Sequence, residues 1–311
     1  MIKVNKKSLI TVYACATVLI LLYILSLTVF SSGNNSRKHI QQLQLLHEAD
    51  ISNINIITIQ NTDGAVILTK SDNMWVVVNQ NDIDDRIPAD TQRLSKLFLL
   101  LVSKHNMIKA GKTENTTTDS YGFNDSDGTV ISLYKNGELY QSLSFGKLNF
   151  AQTERYFTTQ ELKAIYLAGN EFEGFLSSSL QIWADPYIIS EQLRESVFTM
   201  GDVQTIAFYD LENGYSSLLD TSIPEQKDSV QKLLELRHGG FAELTEKSQK
   251  LNIIIHFGDK SEVLLELFDC QESENEYIVH TTFNSERQGK AFTYKTQISQ
   301  WTYSKIKEMM L

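Results

Sequence analysis

The chain has 311 residues, in which 28 lysines and arginines face 38 aspartates and glutamates, for a formal net charge of −10. This length allows one large domain or two ordinary ones, and the acidic balance excludes the broad basic surface with which proteins neutralise nucleic-acid phosphates. Only two cysteines are present, Cys15 and Cys270, so a disulfide framework and a cysteine-rich zinc site are excluded as well.

The stretch at residues 8–30 contains no charged residue, no glycine and no proline. As a helix it would be roughly 34 Å long, which exceeds a hydrocarbon core of about 30 Å. The basic residues of the preceding tail, at residues 1–7, favour a cytoplasmic amino terminus. The sequence therefore predicts a transmembrane helix and a single-pass protein of the bacterial inner membrane, with its carboxy-terminal part extracytoplasmic and the membrane among its partners.

Two alternatives compete with an uncleaved anchor. A signal peptide cleaved after Phe30 has the same basic start, but its apolar region would be about 7 to 15 residues, which is shorter than this one. A lipoprotein modified at Cys15 would retain the remaining apolar residues up to Phe30, which argues against it.

Beyond the anchor, residues 31–50 read as a polar tether with a short helix at residues 40–46. Three runs rich in β-branched residues, divided by turn residues, then predict an antiparallel meander between Ile54 and Asn79. Asp90 is placed to cap a helix whose buried face consists of leucines and a phenylalanine at helical spacing: Leu94, Leu97, Phe98 and Leu101.

Asn136 and Gly137 stand between two alternating runs, and this pair favours a hairpin turn in which both central residues have positive φ. Strands near residues 155–159 and 164–167 and a short helix at residues 171–180 complete a first lobe. After the boundary at Trp183, the same order of strands, helix, hairpin, strands and closing helix recurs. The predicted fold class is α+β, with antiparallel sheets and packed helices in a duplicated unit, divided into lobes at residues 51–183 and 184–311.

Several short motifs resemble a bacterial family, the domain-of-unknown-function 4340 family. They are Met74-Trp75-Val76-Val77, Pro88-Ala89-Asp90 before a leucine-rich helix, Tyr121-Gly122-Phe123 and Phe145-Gly146. The family consists of membrane-anchored proteins often encoded beside ABC transporters of the gliding-motility type. The resemblance implies an accessory subunit of an ABC-type export or surface-assembly system, with transporter permease and ATPase subunits as partners. Phe123 and Asp125 depart from the leucine and proline that the family tends to have.

Two acidic stretches resemble known metal-binding motifs. Asp125-Ser126-Asp127-Gly128 lacks the further ligands of a calcium loop, so a turn before the hairpin is favoured. Asp82-Ile83-Asp84-Asp85 could imitate the Asp-x-Asp of glycosyltransferases, but no nucleotide-binding unit precedes it, which favours a solvated loop.

Histidines and aromatic residues give the remaining signals. His238 is placed where a cation would favour a helix end, and His256 and His280 lie in strands that could bring them together. A set of aromatic residues could line a groove or fill the core, and the core is favoured: Tyr121, Phe123, Tyr156, Phe157, Tyr166, Trp183 and Tyr187. No catalytic, cofactor-binding or metal-binding residue is assigned, and no cofactor is expected.

The sequence thus favours a non-enzymatic accessory protein of an ABC-type export or cell-surface assembly system. One alternative is a membrane-tethered enzyme acting on envelope glycans, which would use the acidic stretch at residues 82–85. The other is a passive envelope scaffold that self-associates as a homo-oligomer through the anchor and the helix at residues 40–46.

Overall fold

The computed structural model describes residues 40–71, 74–79, 82–113, 118–124, 128–160, 162, 164–193, 203–241, 244–258, 260–285 and 290–310. The predicted cytoplasmic tail, the segment at residues 8–30 and the first part of the tether lie outside these residues. The described chain forms two antiparallel sheets, one of ten strands and one of six, with a few short helices.

The predicted membrane topology is corrected by the lengths of these helices. The longest described helix has 12 residues, which makes it about 18 Å long, well short of a hydrocarbon core of about 30 Å. Among the residues that the structure describes, no helix combines the length and the apolar character needed to cross a membrane. The single-pass protein of the inner membrane, with its cytoplasmic amino terminus and extracytoplasmic domain, is therefore not supported.

The first sheet has the strand order β1-β6-β10-β9-β8-β7-β2-β3-β4-β5, and every neighbouring pair is antiparallel. Its strands are β1 Ile40–Gln44, β2 Ile54–Asn61, β3 Gly64–Ser71, β4 Met74–Asn79, β5 Asp82–Pro88, β6 Lys104–Lys112, β7 Thr129–Lys135, β8 Glu138–Leu148, β9 Glu154–Thr159 and β10 Ala164–Gly169.

The predicted α+β class is wrong in its balance, because the described chain is mostly antiparallel sheet. The predicted helix at residues 40–46 is β1, which pairs with β6 from Ile40 to Gln44. The predicted helix at residues 171–180 is a 3-10 segment, Asn170–Phe175. The predicted loop at residues 82–85 belongs to β5, which pairs with β4. In each case a tertiary contact outweighs a weak local preference.

One helix of the first half matches its prediction closely. Helix α1, Thr91–Val102, is capped by Asp90, whose side chain accepts a hydrogen bond from the backbone amide of Arg93 at 2.9 Å. The predicted face is confirmed, since the buried residues of α1 are Leu94, Leu97, Phe98 and Leu101. They belong to the core cluster of the first sheet, so α1 packs on that sheet. Helix α2, Leu180–Trp183, is a single turn that ends at the fully buried Trp183.

The predicted hairpin at Asn136-Gly137 is also confirmed. It joins β7 to β8, and the two central residues have φ values of 52° and 84°. Both values lie in the left-handed region that an Asn-Gly type I′ turn uses. Local turn chemistry therefore fixes the register of this part of the sheet.

The second sheet has the strand order β12-β11-β13-β14-β15-β16, again antiparallel throughout. Two helices, α3 Lys227–Leu234 and α4 Gln300–Glu308, contribute buried residues to its core cluster. The strands are β11 Val203–Asp210, β12 Tyr215–Asp220, β13 Glu246–Phe257, β14 Glu262–Cys270, β15 Glu276–Ser285 and β16 Lys290–Ser299.

The two sheets share one arrangement. In the first sheet, β3-β2-β7-β8-β9-β10 are consecutive neighbours, and in the second sheet β12-β11-β13-β14-β15-β16 follow the same plan. Each set is a hairpin, a helix and a four-stranded meander whose first strand pairs with the first strand of the hairpin. The sets differ at both edges, because β3 pairs further with β4 and β10 with β6, whereas β12 and β16 end the second sheet.

The side chain of Gln192 joins the two halves. The backbone amide of Trp75 donates a hydrogen bond to its Oε1 at 2.7 Å, and its Nε2 donates to the carbonyl oxygens of Trp75 and Ala89 at 2.8 and 3.0 Å. A side-chain amide thus satisfies backbone groups of β4 and the residue after β5 as a neighbouring strand would. Met74 packs against the core of the second sheet, so the junction is both polar and apolar.

Candidate functional site

A cavity lies between the end of the β11–β12 hairpin and helix α4. Its volume is about 540 Å³, within the range of about 300 to 1,000 Å³ that is typical of ligand pockets. The hairpin and the helix supply nearly the whole lining: Asp210, Asn213, Tyr215, Gln300, Tyr303, Ser304, Lys307, Glu308 and Met310.

A buried ion pair occupies the cavity wall. Asp210 is the last residue of β11 and lies on the same side of the strand as the buried Ile206 and Phe208, so its carboxylate points inward. It is only 5% exposed, and Lys307 of α4 donates a hydrogen bond to its Oδ2. A buried carboxylate without such a partner would be costly. The ion pair therefore ties α4 to the end of β11.

The turn after β11 supplies the remaining hydrogen bonds to this carboxylate. The backbone amides of Glu212 and Asn213 donate to Oδ1 at 3.0 and 3.2 Å, and the side-chain amide of Asn213 donates to Oδ2 at 2.9 Å. Burial alone would raise the pKa of Asp210, but the hydrogen bonds from Lys307 and Asn213 outweigh it and lower the pKa to about 2. The carboxylate is ionised and fully engaged at neutral pH.

Two tyrosines form the aromatic part of the site. The ring of Tyr303 stacks on that of Tyr277 with centroids 4.0 Å apart and an interplanar angle of 9°. Burial raises the pKa of Tyr303 to about 12, so its phenol stays neutral. Tyr215 lies at the start of β12 and is 48% exposed. One ring is a fixed wall and the other is open to solvent.

A second charged group lies close to Tyr303. Lys250 of β13 contacts Asp269 and Glu212, each at 3.1 Å. The hydrogen bonds with Asp269 and Glu212 raise the pKa of Lys250. Glu308, at the cavity itself, pairs with Lys305 at 2.7 Å. The charges in and around the cavity are therefore matched by neighbouring charges of the chain itself.

These contacts suit binding more than catalysis. A nucleophile or general base needs an acceptor or donor that is free to meet the substrate, whereas Asp210 and Lys307 satisfy each other. Among the described residues, no group of three histidines, cysteines or acids is placed to hold a metal ion. The described Cys270 is buried with its Sγ 3.1 Å from Glu272, and burial raises the pKa of the thiol, which opposes thiolate chemistry.

The structure separates His238, His256 and His280 from one another. The Nε2 atom of His238 contacts the carbonyl oxygen of Asp185 at 2.6 Å. Burial lowers the pKa of His238, so it is not the helix-end cation that the sequence suggested, and α3 ends before it at Leu234. His256 faces Glu262 at 3.8 Å, and His280 contacts Glu246 at 2.6 Å. In register, His256 pairs with Glu262 and His280 with Glu266, so the two do not form one site.

The predicted aromatic set belongs mainly to the first core. Phe157, Tyr166 and Trp183 are all buried there. Tyr121 packs against Tyr156, with ring centroids 4.7 Å apart, and lies next to Phe123. Tyr187 of the junction lies beneath the guanidinium of Arg237. The structure therefore uses these residues for packing. Asp125, Ser126 and Asp127 lie outside the described residues, as do the side chains of residues 82–85.

No family model, no curated protein and no solved structure matches the chain. The resemblance to the domain-of-unknown-function 4340 family consequently stays a prediction.

Sequence reasoning did not find this cavity. The sequence predicts strands and a closing helix in the second lobe, but it gives no reason to bring them together. One signal was present: Asp210 continues the inward series of Ile206 and Phe208 at a spacing of two. An acid at a core-facing position of a strand requires a partner, and the partner that the fold supplies, Lys307, lies 97 residues later in the chain.

Proposed function

We propose that this protein is a non-enzymatic binding subunit that docks to a partner protein through the β11–β12 end of its second sheet. The observation that carries the proposal is an exposed apolar cluster beside a cavity whose charged groups are already paired. Five of the twelve large apolar side chains that are exposed in the described chain lie within 15 residues of one another: Tyr209, Leu211, Tyr215, Leu218 and Ile223.

Such clustering supports a protein interface. Single exposed apolar residues are normal on protein surfaces, but several of them on one hairpin indicate a place where another surface can be buried. Tyr209 and Leu218 lie on the same face of the β11–β12 hairpin, and Tyr215 lies on the opposite, cavity-side face. Tyrosine and leucine bring a large apolar area, and the tyrosine hydroxyl keeps a polar contact. The adjacent cavity adds a concave element into which a side chain of the partner can fit.

The class of partner is proposed from the sequence resemblance. The motifs at Met74–Val77 and Pro88–Asp90 imply an accessory subunit of an ABC-type export or surface-assembly system, and the partner would then be a permease or ATPase subunit of that system. The charge of −10 supports a protein partner over nucleic acid.

Affinity purification from the native cell tests this proposal. The full chain should retain ABC transporter subunits, and the double variant Tyr209→Ser/Ile223→Ser should lose them because both side chains are exposed parts of the cluster. Phe150→Ser is the matched control, since Phe150 is fully exposed in the turn between β8 and β9 and does not belong to the cluster. Equal retention by the double variant, or no transporter subunit with any form, would contradict the proposal.

A further inference from the structure

Strand β12 forms one edge of the second sheet, and at the other edge β16 is bridged at Gln297 by Gly240. On one side β12 pairs with β11, with Tyr215 opposite Asp210 at one end and Asp220 opposite Thr205 at the other. No described strand pairs with its other side. Alternate residues of an edge strand leave their backbone amides and carbonyls without a sheet partner, and these groups can template the addition of another strand.

The sequence of β12 does not protect this edge. Proteins usually guard exposed edges with lysine, proline or a bulge, but Tyr215–Asp220 reads YSSLLD and pairs with β11 without a register shift. Leu218 is 59% exposed, and Tyr215 is 48% exposed. By contrast, three of the five residues of the edge strand β1 are glutamines. An apolar edge is thus left open in the second sheet.

The first sheet shows what occupies this position when a strand is available. The counterpart of β12 is β3, which occupies the same place in the shared strand order. Strand β3 pairs on its outer side with β4 in antiparallel register, from Ile67–Val78 to Ser71–Met74. The occupant, MWVVVN, is an extended and largely apolar segment. In the second sheet, no described strand occupies the position next to β12 that β4 occupies next to β3.

The charge near β12 selects among possible occupants. Asp210 and Glu212 are already paired with Lys307 and Lys250. The rest of residues 203–235 contains four acids and two lysines: Asp220, Glu225, Asp228 and Glu235 against Lys227 and Lys232. The whole chain is acidic as well, so a second copy would meet like charge at this edge. A basic segment would meet opposite charge, which favours both its encounter and its orientation.

We propose that β12 accepts an extended, basic segment of a partner protein as an added antiparallel strand. Side chains opposite each other in an antiparallel pair lie on the same face, so a residue opposite Tyr215 projects to the cavity side and a residue opposite Leu218 projects to the other face. Apolar residues fit the interior of the added strand, and lysine or arginine fits its ends. This inference rests on the proposed function, of which it specifies the binding mode.

Two designed peptides test the inference on the full-length protein. One is acetyl-Lys-Thr-Val-Thr-Val-Thr-Lys-amide, and the other carries glutamate in place of both lysines. The lysine peptide is expected to slow amide hydrogen exchange across residues 215–220 and to bind at least tenfold more tightly than the glutamate peptide. No protection at β12, or equal binding of the two peptides, would overturn the inference.

Variants of the protein locate the binding edge. Leu218→Lys places a natural edge-blocking residue on β12 and should weaken binding of the lysine peptide at least tenfold, whereas Phe150→Lys should not change it, since both positions are exposed in the free chain. Thermal melting verifies that both variants fold. Unchanged binding to Leu218→Lys counts against the inference. A dimer that dissociates in Leu218→Lys would replace the partner segment with a second copy of this chain.

The outcomes separate this inference from the proposed function. If the peptide protects β12 but no transporter subunit purifies with the full chain, the strand addition stands and the proposed partner class fails. If transporter subunits purify equally with the full chain and with Leu218→Lys, the proposed function stands and the strand addition fails.

Discussion

Lys307 donates a hydrogen bond to the buried carboxylate of Asp210 across 97 residues of sequence. This contact fastens the closing helix α4 to the end of β11 and shapes one wall of the cavity. Because the same carboxylate also orders the turn at Glu212 and Asn213, the geometry of the proposed binding end depends on it.

Replacing Lys307 with alanine should destabilise the fold. The substitution leaves Asp210, which is 5% exposed, without its cationic partner, and an unpaired buried acceptor costs about 1 to 3 kcal/mol. Urea unfolding should show a lower midpoint with an unchanged slope. Lys305→Ala is the control, because its pair with Glu308 is largely solvent-exposed and such pairs contribute about 0 to 1 kcal/mol. Equal midpoints for the two variants would contradict the role of the Asp210–Lys307 pair.

The stabilisation by Asp210 should depend on pH in acid. Its folded pKa of about 2 lies below the ordinary value of 3.8. Ionised Asp210 therefore stabilises the fold above pH 3.8, and this contribution is lost as the pH falls towards 2. The difference in melting temperature between the wild type and Asp210→Asn should be constant above about pH 5 and shrink below it. A difference that does not change with pH would show that charge is not the cause.

Because of His238, the stability of the fold should decrease as the pH falls below 6.5. Burial lowers the pKa of His238 from 6.5, although its hydrogen bond to Asp185 opposes the shift. Because the unfolded chain binds the proton more readily, the stabilisation is present above pH 6.5 and declines as the pH falls. His238→Gln should reduce the loss of melting temperature between pH 7 and pH 5. An equal loss of melting temperature in the wild type and in His238→Gln would contradict this role of His238.

Gly146 should not tolerate a side chain. A Cβ at this position would lie 2.2 Å from the carbonyl oxygen of Tyr121, which is a backbone atom that cannot move aside cheaply. Gly146→Ala is expected to cost about 2 kcal/mol of unfolding free energy or more. Gly174→Ala should stay within about 0.5 kcal/mol, because nothing lies within 4 Å of its added Cβ. Similar unfolding curves for the two variants would refute the steric explanation.

Elements with local signals were predictable from the sequence. Helix α1 carries its own cap at Asp90 and an apolar face at helical spacing, and the β7–β8 hairpin carries an Asn-Gly turn. Each signal lies within a dozen residues, so no tertiary information is needed to interpret it.

Elements fixed by distant contacts were not predictable. Strand β1 reads as a polar stretch with scattered leucines, and only its pairing with β6, more than 60 residues later, makes it a strand. The cavity is the extreme case, because its two walls come from a hairpin and a helix about 90 residues apart.

The amide of Gln192 has a practical consequence for dividing the molecule. If the first half were produced without residues 185–311, the amide of Trp75 would lose its partner, and Met74 would lose the apolar surface it packs on. A fragment that exposes an unpaired backbone amide and an uncovered apolar side chain should self-associate and precipitate. Assays on isolated halves would then measure aggregation of the fragment rather than the activity of the intact protein.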